Sequence, residues 1–306
     1  MRLMTAALTG LLASTACAPS PTLIAPVETR APITFSQLLA RPRAAPDQRI
    51  AYGPEALQFG ELWLPRGGGR HPVIVLIHGG CWRADLPGLE LMDYMAADLR
   101  DRGYAVWNVE YRRIGHPGGG YPGTFQDVAA GLDHLRELAP QHSLDLRRVA
   151  VSGHSAGGHL ALWAAARDRL PAESPLRTAD PLPVRGVVSL AGIADLDAYR
   201  QTGPDACGGP STIDGLVGVQ QAGGRDVFAD TSPPALLPLG DRQLVISGAR
   251  DRIVPPRFGQ DYAAAAAARG DPAQSVVLEG AGHFEIIDPT STVWPRIVAA
   301  FDHLLR

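Results

Sequence analysis

The sequence predicts an α/β fold built on a doubly wound, mostly parallel sheet of about eight strands with flanking helices. Continuous apolar runs of strand length, such as 71–77, are typical of strands buried on both faces of a parallel sheet. Helical patterns long enough for crossover connections lie between these runs. A chain of 306 residues is also long enough for one large domain of this class.

The individual elements are predicted from periodicity and from glycine and proline breaks. Alternating residues over 49–53 and 57–64 predict two early antiparallel strands, and from residue 71 onwards strands alternate with helices. The later strands are predicted at 71–77, 104–111, 149–152, 186–190, 244–247 and 275–278. The helices are predicted at 89–102, 124–138, 156–167, 257–269 and 292–305.

The first 16 residues are typical of a secretory signal peptide. An early arginine precedes an apolar run over 3–13, which is shorter than the ~20 residues that a membrane-spanning helix needs. Residues 14–17 resemble a bacterial lipoprotein cleavage box, in which Cys17 would carry a lipid. We expect an exported protein that is periplasmic or membrane-anchored through Cys17, with plain secretion or an uncleaved chain as alternatives.

A Pro/Ala-rich stretch over 17–48 is expected to be a linker, and the folded domain is expected to cover 49–306. Within this domain, the interval 197–234 interrupts the alternation of strands and helices and is rich in glycine. A connection of this length in a compact domain is usually functional. We expect a cap-like insertion that covers the carboxyl ends of the strands and shapes a pocket.

Composition excludes several classes of function. The net charge is −3 and the pI is near 6.3, which gives no indication of a nucleic-acid partner. All 28 basic residues are arginine, which excludes a P-loop lysine, a Schiff-base lysine and a serine–lysine dyad. The spacing of histidines and cysteines matches no metal-site motif, so we expect neither a metal nor a cofactor.

Cys81 and Cys207 would remain after removal of the signal segment and would face an oxidising compartment. Two alternatives are open for this pair. They could form a disulfide, or they could be two separate buried thiols. We expect separate thiols.

The motif Gly-His-Ser-Ala-Gly over 153–157 lies between a predicted strand and a predicted helix. Ser155 is expected on the sharp turn between them, where small neighbours avoid clashes. Such a nucleophile elbow exposes the serine Oγ at a helix N-terminus, whose free N–H groups stabilise negative charge. The same motif occurs in ordinary glycine-rich loops. The prediction of an elbow therefore depends on the strand and the helix that flank the motif.

A serine nucleophile needs a base to take its proton and an acid to orient that base. Asp251 follows the penultimate predicted strand, and His283 follows the last one. With Ser155 before them, the three residues have the chain order Ser, Asp, His. Each residue alone could be an ordinary turn residue. Together with Ser155 they predict a catalytic triad, with Asp226 and Asp230 as weaker alternatives for the acid.

Two further histidines lie close to Ser155 in the sequence. His154 is adjacent to it on a tight turn and is expected to be a packing residue. His159 lies about one helical turn beyond the serine and is expected to face the core. Neither is expected to act as the base.

Residues 78–82, His-Gly-Gly-Cys-Trp, directly follow the predicted strand 71–77. The tetrahedral intermediate of acyl transfer carries negative charge on the former carbonyl oxygen and needs preorganised N–H donors. We expect an oxyanion hole in which the N–H groups of Gly80 and Cys81 join that of Ala156.

With these motifs, the chain resembles the α/β-hydrolase superfamily and, within it, the HGGxW esterases that include kynurenine formamidase and related carboxylesterases. The resemblance covers about 49–306 and implies Ser155 as nucleophile, His283 as base, Asp251 as the orienting acid and an oxyanion hole at the Gly80 loop. The residues that carry it are 78–82, 153–157, Asp251 with Pro255, and 282–284.

The expected activity is hydrolysis of carboxylic esters of small or aromatic substrates through an acyl-enzyme. Amide hydrolysis by an arylformamidase is the alternative. A peptidase of the prolyl-oligopeptidase type and a noncatalytic binding lipoprotein are less favoured. The expected partner is therefore a small-molecule ester or aryl amide, and the oligomeric state stays open.

Overall fold

The computed structural model describes residues 31–306. The expected signal segment 1–16, the lipidation site Cys17 and the first part of the expected linker lie outside the described residues. One eight-stranded sheet has the strand order β1-β2-β4-β3-β5-β6-β7-β8. The strands are β1 (Gln48–Ala51), β2 (Phe59–Trp63), β3 (His71–Ile77), β4 (Ala105–Val109), β5 (Leu144–His154), β6 (Gly186–Leu190), β7 (Arg242–Gly248) and β8 (Ala273–Leu278).

The pairings of β1 with β2 and of β2 with β4 are antiparallel, and the other five are parallel. The predicted doubly wound, mostly parallel α/β fold is therefore confirmed. The α-helices of the described residues are α1 (Phe35–Leu39), α2 (Asp93–Asp101), α3 (Gly123–Asp133), α4 (Leu135–His142), α5 (Ala156–Ala165), α6 (Leu196–Thr202), α7 (Pro210–Val217), α8 (Arg257–Ala268) and α9 (Trp294–Leu305). None of the helices within 31–306 is long and apolar enough to cross a membrane.

Strand β3 shows how helices are held on both faces of the sheet. Successive side chains of a strand point to opposite faces. Val73, Val75 and Ile77 belong to a core shared with residues of α3, α5 and α8. Ile74 and Leu76 belong to a second core shared with residues of α1, α2 and α9. The burial of both faces explains the continuous apolar run in the sequence.

The N-terminal residues 31–48 differ from the expected linker. Helix α1 begins at a capping box, in which the Thr34 hydroxyl accepts the Gln37 N–H and the Gln37 side chain accepts the Thr34 N–H. Leu38 is fully buried in the second core, and its carbonyl accepts the Tyr94 hydroxyl at 2.8 Å. A helix of five residues with one buried leucine is too short to give a periodic signal.

The insertion 197–234 also contains more regular structure than expected. Helix α6 has Asp195 as its N-cap, whose carboxylate accepts the Ala198 N–H at 3.0 Å. Helix α7 begins at Pro210 and ends at Val217, and its C-cap Gly218 has a left-handed φ of 70°. These helices have seven and eight residues, so neither repeats often enough to produce a sustained period.

A disulfide joins Cys81, in the loop after β3, to Cys207, in the insertion. The expectation of two separate buried thiols is therefore wrong. The two cysteines are 126 positions apart, and their Cα atoms lie 5.3 Å from each other. Sequence spacing carries no information on this contact, because it arises only when the insertion folds against the loop after β3.

Candidate active site

Ser155 lies at the junction of β5 and α5, as predicted for a nucleophile elbow. Its φ of 56° and ψ of −119° are unfavourable for a residue with a Cβ atom and cost about 1–3 kcal/mol. The Ser155 N–H donates to the Leu190 carbonyl at 2.9 Å, and its carbonyl accepts the Gly158 N–H at 2.9 Å. The neighbouring strand and the first turn of α5 thus hold the strained residue in place.

Two glycines allow the elbow and the loop after β3 to pack closely. A Cβ atom on Gly157 would lie 2.0 Å from the Ile77 carbonyl oxygen, so no side chain fits there. A Cβ atom on Gly79 would lie 3.2 Å from the Ser155 Cβ. The structure therefore brings the predicted oxyanion loop directly against the predicted nucleophile.

His283 and Asp251 form a buried pair at the ends of β8 and β7. The His283 Nδ1 lies 2.6 Å from the Asp251 Oδ2, and the side chains are 5% and 0% exposed. The other carboxylate oxygen of Asp251 accepts the N–H groups of Ile253 and Val254 at 2.8 and 2.9 Å. This arrangement favours a proton on Nδ1 and leaves Nε2 to accept a proton from a substrate or nucleophile.

His154 links the elbow to the loop that carries His283. Its Nε2 lies 2.9 Å from the His283 carbonyl oxygen, and the two ring centroids are 4.5 Å apart. Burial, together with the nearby charge of His283, lowers the pKa of His154 well below its ordinary value. The neutral ring donates from Nε2 to this carbonyl. His154 therefore has the packing role that was expected, and it links the His283 loop to the residue that precedes Ser155.

The alternative residues lie in other environments. His159 is fully buried, its Nε2 lies 2.8 Å from the Thr231 carbonyl, and burial lowers its pKa to about 4. Asp230 is engaged by the Arg225 guanidinium at 2.8 Å. Asp226 accepts the backbone N–H of Phe228. His283 is paired with Asp251 and with neither of these two aspartates.

The loop after β3 makes a tight turn at the predicted oxyanion donors. Gly80, Cys81 and Trp82 have φ values of 101°, 50° and 54°. Among the described residues, the N–H groups of Gly80, Cys81 and Ala156 donate no hydrogen bond. The three predicted donors are therefore available to a ligand, which an oxyanion hole requires in addition to their convergence on one oxygen.

His78 braces this loop, a role that the sequence analysis missed. Its Nδ1 lies 2.7 Å from the Gly79 carbonyl oxygen, and its Nε2 lies 3.0 Å from a carboxylate oxygen of Glu110. The Gly79 carbonyl shares one planar peptide with the Gly80 N–H, so the contact also orients that donor. Burial raises the pKa of Glu110, but His78 and Arg113 outweigh it and the pKa falls to about 2.

The insertion contacts two of the loops that carry predicted site residues. The disulfide from Cys207 holds Cys81 in the oxyanion loop. The Tyr199 hydroxyl donates to the Ile253 carbonyl at 2.9 Å, two residues after Asp251. Tyr199 could not be predicted from the sequence, since a tyrosine in a glycine-rich interval gives no signal of such a contact.

A cavity of about 940 Å³ adjoins His283 and Asp251. It is lined by residues 31–35, by 249–253 and by His283 with Phe284. None of its lining residues belongs to 197–234, so the insertion does not shape this cavity.

In the part of the chain that the structure describes, no group of three His, Cys, Asp or Glu side chains is arranged to hold a metal ion.

Known proteins with similar sequences include several that are named esterases. The chain is 27% identical over 257 residues to esterase LipC of Mycobacterium tuberculosis. The aligned region covers 80% of this chain and 61% of that protein. It is 33% identical over 132 residues to carboxylesterase NlhH of the same organism, which covers 40% of each protein. The chain thus matches about three fifths or less of the length of these relatives.

A similar solved structure supports the fold. Esterase B from Lactobacillus rhamnosus superposes with a TM-score of 0.71 at 21% identity and covers 88% of this chain and 90% of its own. The family model named BD-FAE matches residues 61–265, which include the elbow, the loop after β3 and Asp251. The chain therefore belongs to the BD-FAE family and has the α/β-hydrolase fold of its esterase relatives.

Proposed function

We propose that the protein is a serine carboxylesterase that cleaves esters of small or aromatic substrates through an acyl-enzyme. The observation that carries this proposal is the buried His283–Asp251 pair, with 2.6 Å between Nδ1 and Oδ2, on a loop that is joined to the elbow of the strained Ser155 by the His154–His283 contact. The names of the relatives support the reaction class. Because the chain spans only part of their length, its own activity is a proposal.

In acylation, the His283 Nε2 accepts the Ser155 hydroxyl proton while Oγ bonds to the ester carbonyl carbon. The carbonyl electron pair moves to oxygen, and the N–H groups of Gly80, Cys81 and Ala156 stabilise the resulting negative charge. The intermediate then collapses, the bond to the alkoxy oxygen breaks, and His283 returns the proton to the departing alcohol. Water repeats these steps in deacylation and releases the acid.

The decisive variant is Ser155→Ala, assayed with a short p-nitrophenyl ester. Loss of the nucleophile is expected to lower kcat on the order of 10⁶-fold. Labelling by a fluorophosphonate, which bonds covalently to the active serine, should disappear as well. The exposed Ser211→Ala variant is the matched control and should keep both activities. Retained turnover or labelling in Ser155→Ala would refute the assignment.

Aryl amides are the alternative substrate class, because the same steps can break a C–N bond. A panel of acetyl, butyryl and long-chain esters, compared with N-formylkynurenine by kcat/KM, separates the two classes. A higher kcat/KM for the formamide than for every ester would identify an arylformamidase.

We also propose export of the chain, with a lipid on Cys17. The Cys81–Cys207 disulfide supports export, since such bonds persist in oxidising compartments. In a bacterial host, the mature chain is expected in the membrane fraction with a diacylglycerol thioether on Cys17, and Cys17→Ser should abolish this modification. An intact chain in the cytosol that retains residues 1–16 would contradict the proposal.

A further inference from the structure

The cavity beside His283 is large enough to hold a small organic group. Its volume of about 940 Å³ falls within the range of known ligand pockets. The proposed mechanism uses the ring of His283 and assigns no occupant to the rest of the cavity. Its position and its walls indicate which part of a substrate it would receive.

The position favours the alcohol half of an ester. Because His283 returns a proton to the departing alkoxide, the leaving-group oxygen must come within hydrogen-bond reach of its ring. In the proposed mechanism, the carbonyl oxygen of the ester is instead held by the N–H groups around Gly80. Gly80 does not line this cavity. The space that adjoins His283 is therefore suited to the leaving group.

The walls of the cavity favour an aromatic occupant. The rings of Phe35 and Phe284 have centroids 5.7 Å apart and planes tilted by 51°. Pro32, Ile33 and Ile253 add further apolar surface. Aromatic rings attract one another in tilted and offset arrangements, beyond the gain from apolar burial alone. An aryl group in the cavity would contact both rings.

The N-terminal wall is fixed to the loop that carries His283. The Glu285 carboxylate accepts the Ile33 N–H at 2.5 Å and the Gly282 N–H at 2.9 Å. Pro32 packs so closely on Gly282 that a Cβ atom there would lie 2.6 Å from the Pro32 Cβ. A wall that is already ordered needs little further ordering when a ligand binds.

We propose that residues 31–35 form one wall of the leaving-group subsite, and that this subsite prefers esters of bulky aromatic alcohols. This inference rests on the proposed esterase function. It assigns specificity to a segment outside 61–265, the range that the family model matches. Phe35 is the specificity-determining residue, because it lines the cavity, its ring packs against that of Phe284 and it is separate from the proposed triad.

The test uses acetyl esters of methanol, benzyl alcohol and 2-naphthylmethanol, so that the acyl group stays constant and every leaving group is a primary alcohol. The measured quantity is kcat/KM for the naphthylmethyl ester divided by kcat/KM for the methyl ester. Phe35→Ala should lower this ratio about fivefold, since an aromatic pair contributes on the order of 1 kcal/mol. It should also weaken competitive inhibition by free 2-naphthylmethanol by a similar factor.

The matched control is Ser36→Ala, an exposed neighbour that does not line the cavity, and its ratio should equal that of the wild type. If Phe35→Ala does not fold, Phe35→Leu keeps an apolar side chain and should lower the ratio about twofold. An unchanged ratio in a folded Phe35 variant would overturn the inference and leave the esterase function intact. If the wild type cleaves no ester and takes no fluorophosphonate label, the proposed function itself fails.

Discussion

The N-terminal segment 31–41 and the insertion 197–234 differ in what they contact around the candidate site. The first resembles a linker in composition, yet it contributes residues 31–35 to the cavity beside His283. The second resembles a pocket-forming cap, yet it contributes no residue to that cavity and contacts the loops that carry Cys81 and Asp251 through Cys207 and Tyr199. Composition and length therefore indicate poorly whether a segment lines a cavity or holds the loops around it.

The two regions also differ in how they are attached. The insertion is held covalently by the disulfide to Cys81. The N-terminal segment is held by the buried Leu38, by the Arg41–Asp288 ion pair at 2.7 Å and by hydrogen bonds such as that to Glu285. Loss of the disulfide should lower kcat. Loss of the contacts that hold the N-terminal segment should instead change the preference among substrates.

Of the two regions, the insertion is expected to give the larger effect, through Cys207→Ser. Without the disulfide, the N–H of Cys81 is positioned less well, and kcat should fall by up to about a hundredfold with little change in KM, since an oxyanion donor acts in the transition state. The free energy of unfolding should fall by about 4–5 kcal/mol, because a link across 126 positions restricts the unfolded chain. Steady-state kinetics and urea unfolding measure the two effects.

Reductant provides the control for this variant. Dithiothreitol should bring the wild-type kcat to the level of Cys207→Ser and should leave the variant unchanged. Binding of a trifluoromethyl ketone, which forms an oxyanion in the site, should weaken in parallel with kcat. If stability falls while kcat and ketone affinity stay the same, the insertion stabilises the fold without positioning the oxyanion loop.

A smaller effect is expected from Leu38→Ala, which removes the buried anchor of α1. Such a truncation costs about 2–5 kcal/mol at a well-packed site, but here the loss should stay local. Hydrogen exchange should become faster at the Ala40 and Arg41 N–H groups, which close the end of α1, and stay slow in β5. An equal loss of protection from hydrogen exchange in β5 would contradict this expectation. It would show that α1 unfolds together with the sheet and not by itself.

The half-buried Leu39 is the matched control for that variant. Leu39→Ala should change exchange in α1 less than Leu38→Ala does. A change of the same size would show that contacts other than the side chain of Leu38 hold the segment.

The fold class and the residues of the candidate triad could be predicted because their signals are local. An apolar run marks each parallel strand, and the loops after β5, β7 and β8 carry Ser155, Asp251 and His283. The contacts that support the site could not be predicted, since each joins residues far apart in the chain. The ring of His78, after β3, contacts Glu110, after β4. Cys81 and Cys207 come together only in the folded chain.

One signal for His78 was present and was missed. Glu110 directly follows β4, and β4 is the parallel neighbour of β3, which ends just before His78. Because parallel neighbours end at the same edge of a sheet, a carboxylate at that position is close to the loop after β3. The short helix α1 offered no comparable signal beyond its capping box.

The disulfide also determines how the chain behaves when it is cut. Ser155 lies between Cys81 and Cys207, so the strand and helix of the elbow belong to a covalently closed ring. A single cleavage in the surface stretch 171–185 leaves both fragments joined through sulfur. The nicked molecule would therefore keep Ser155 covalently linked to the fragment that carries Asp251 and His283, and this covalent link would be lost only on reduction.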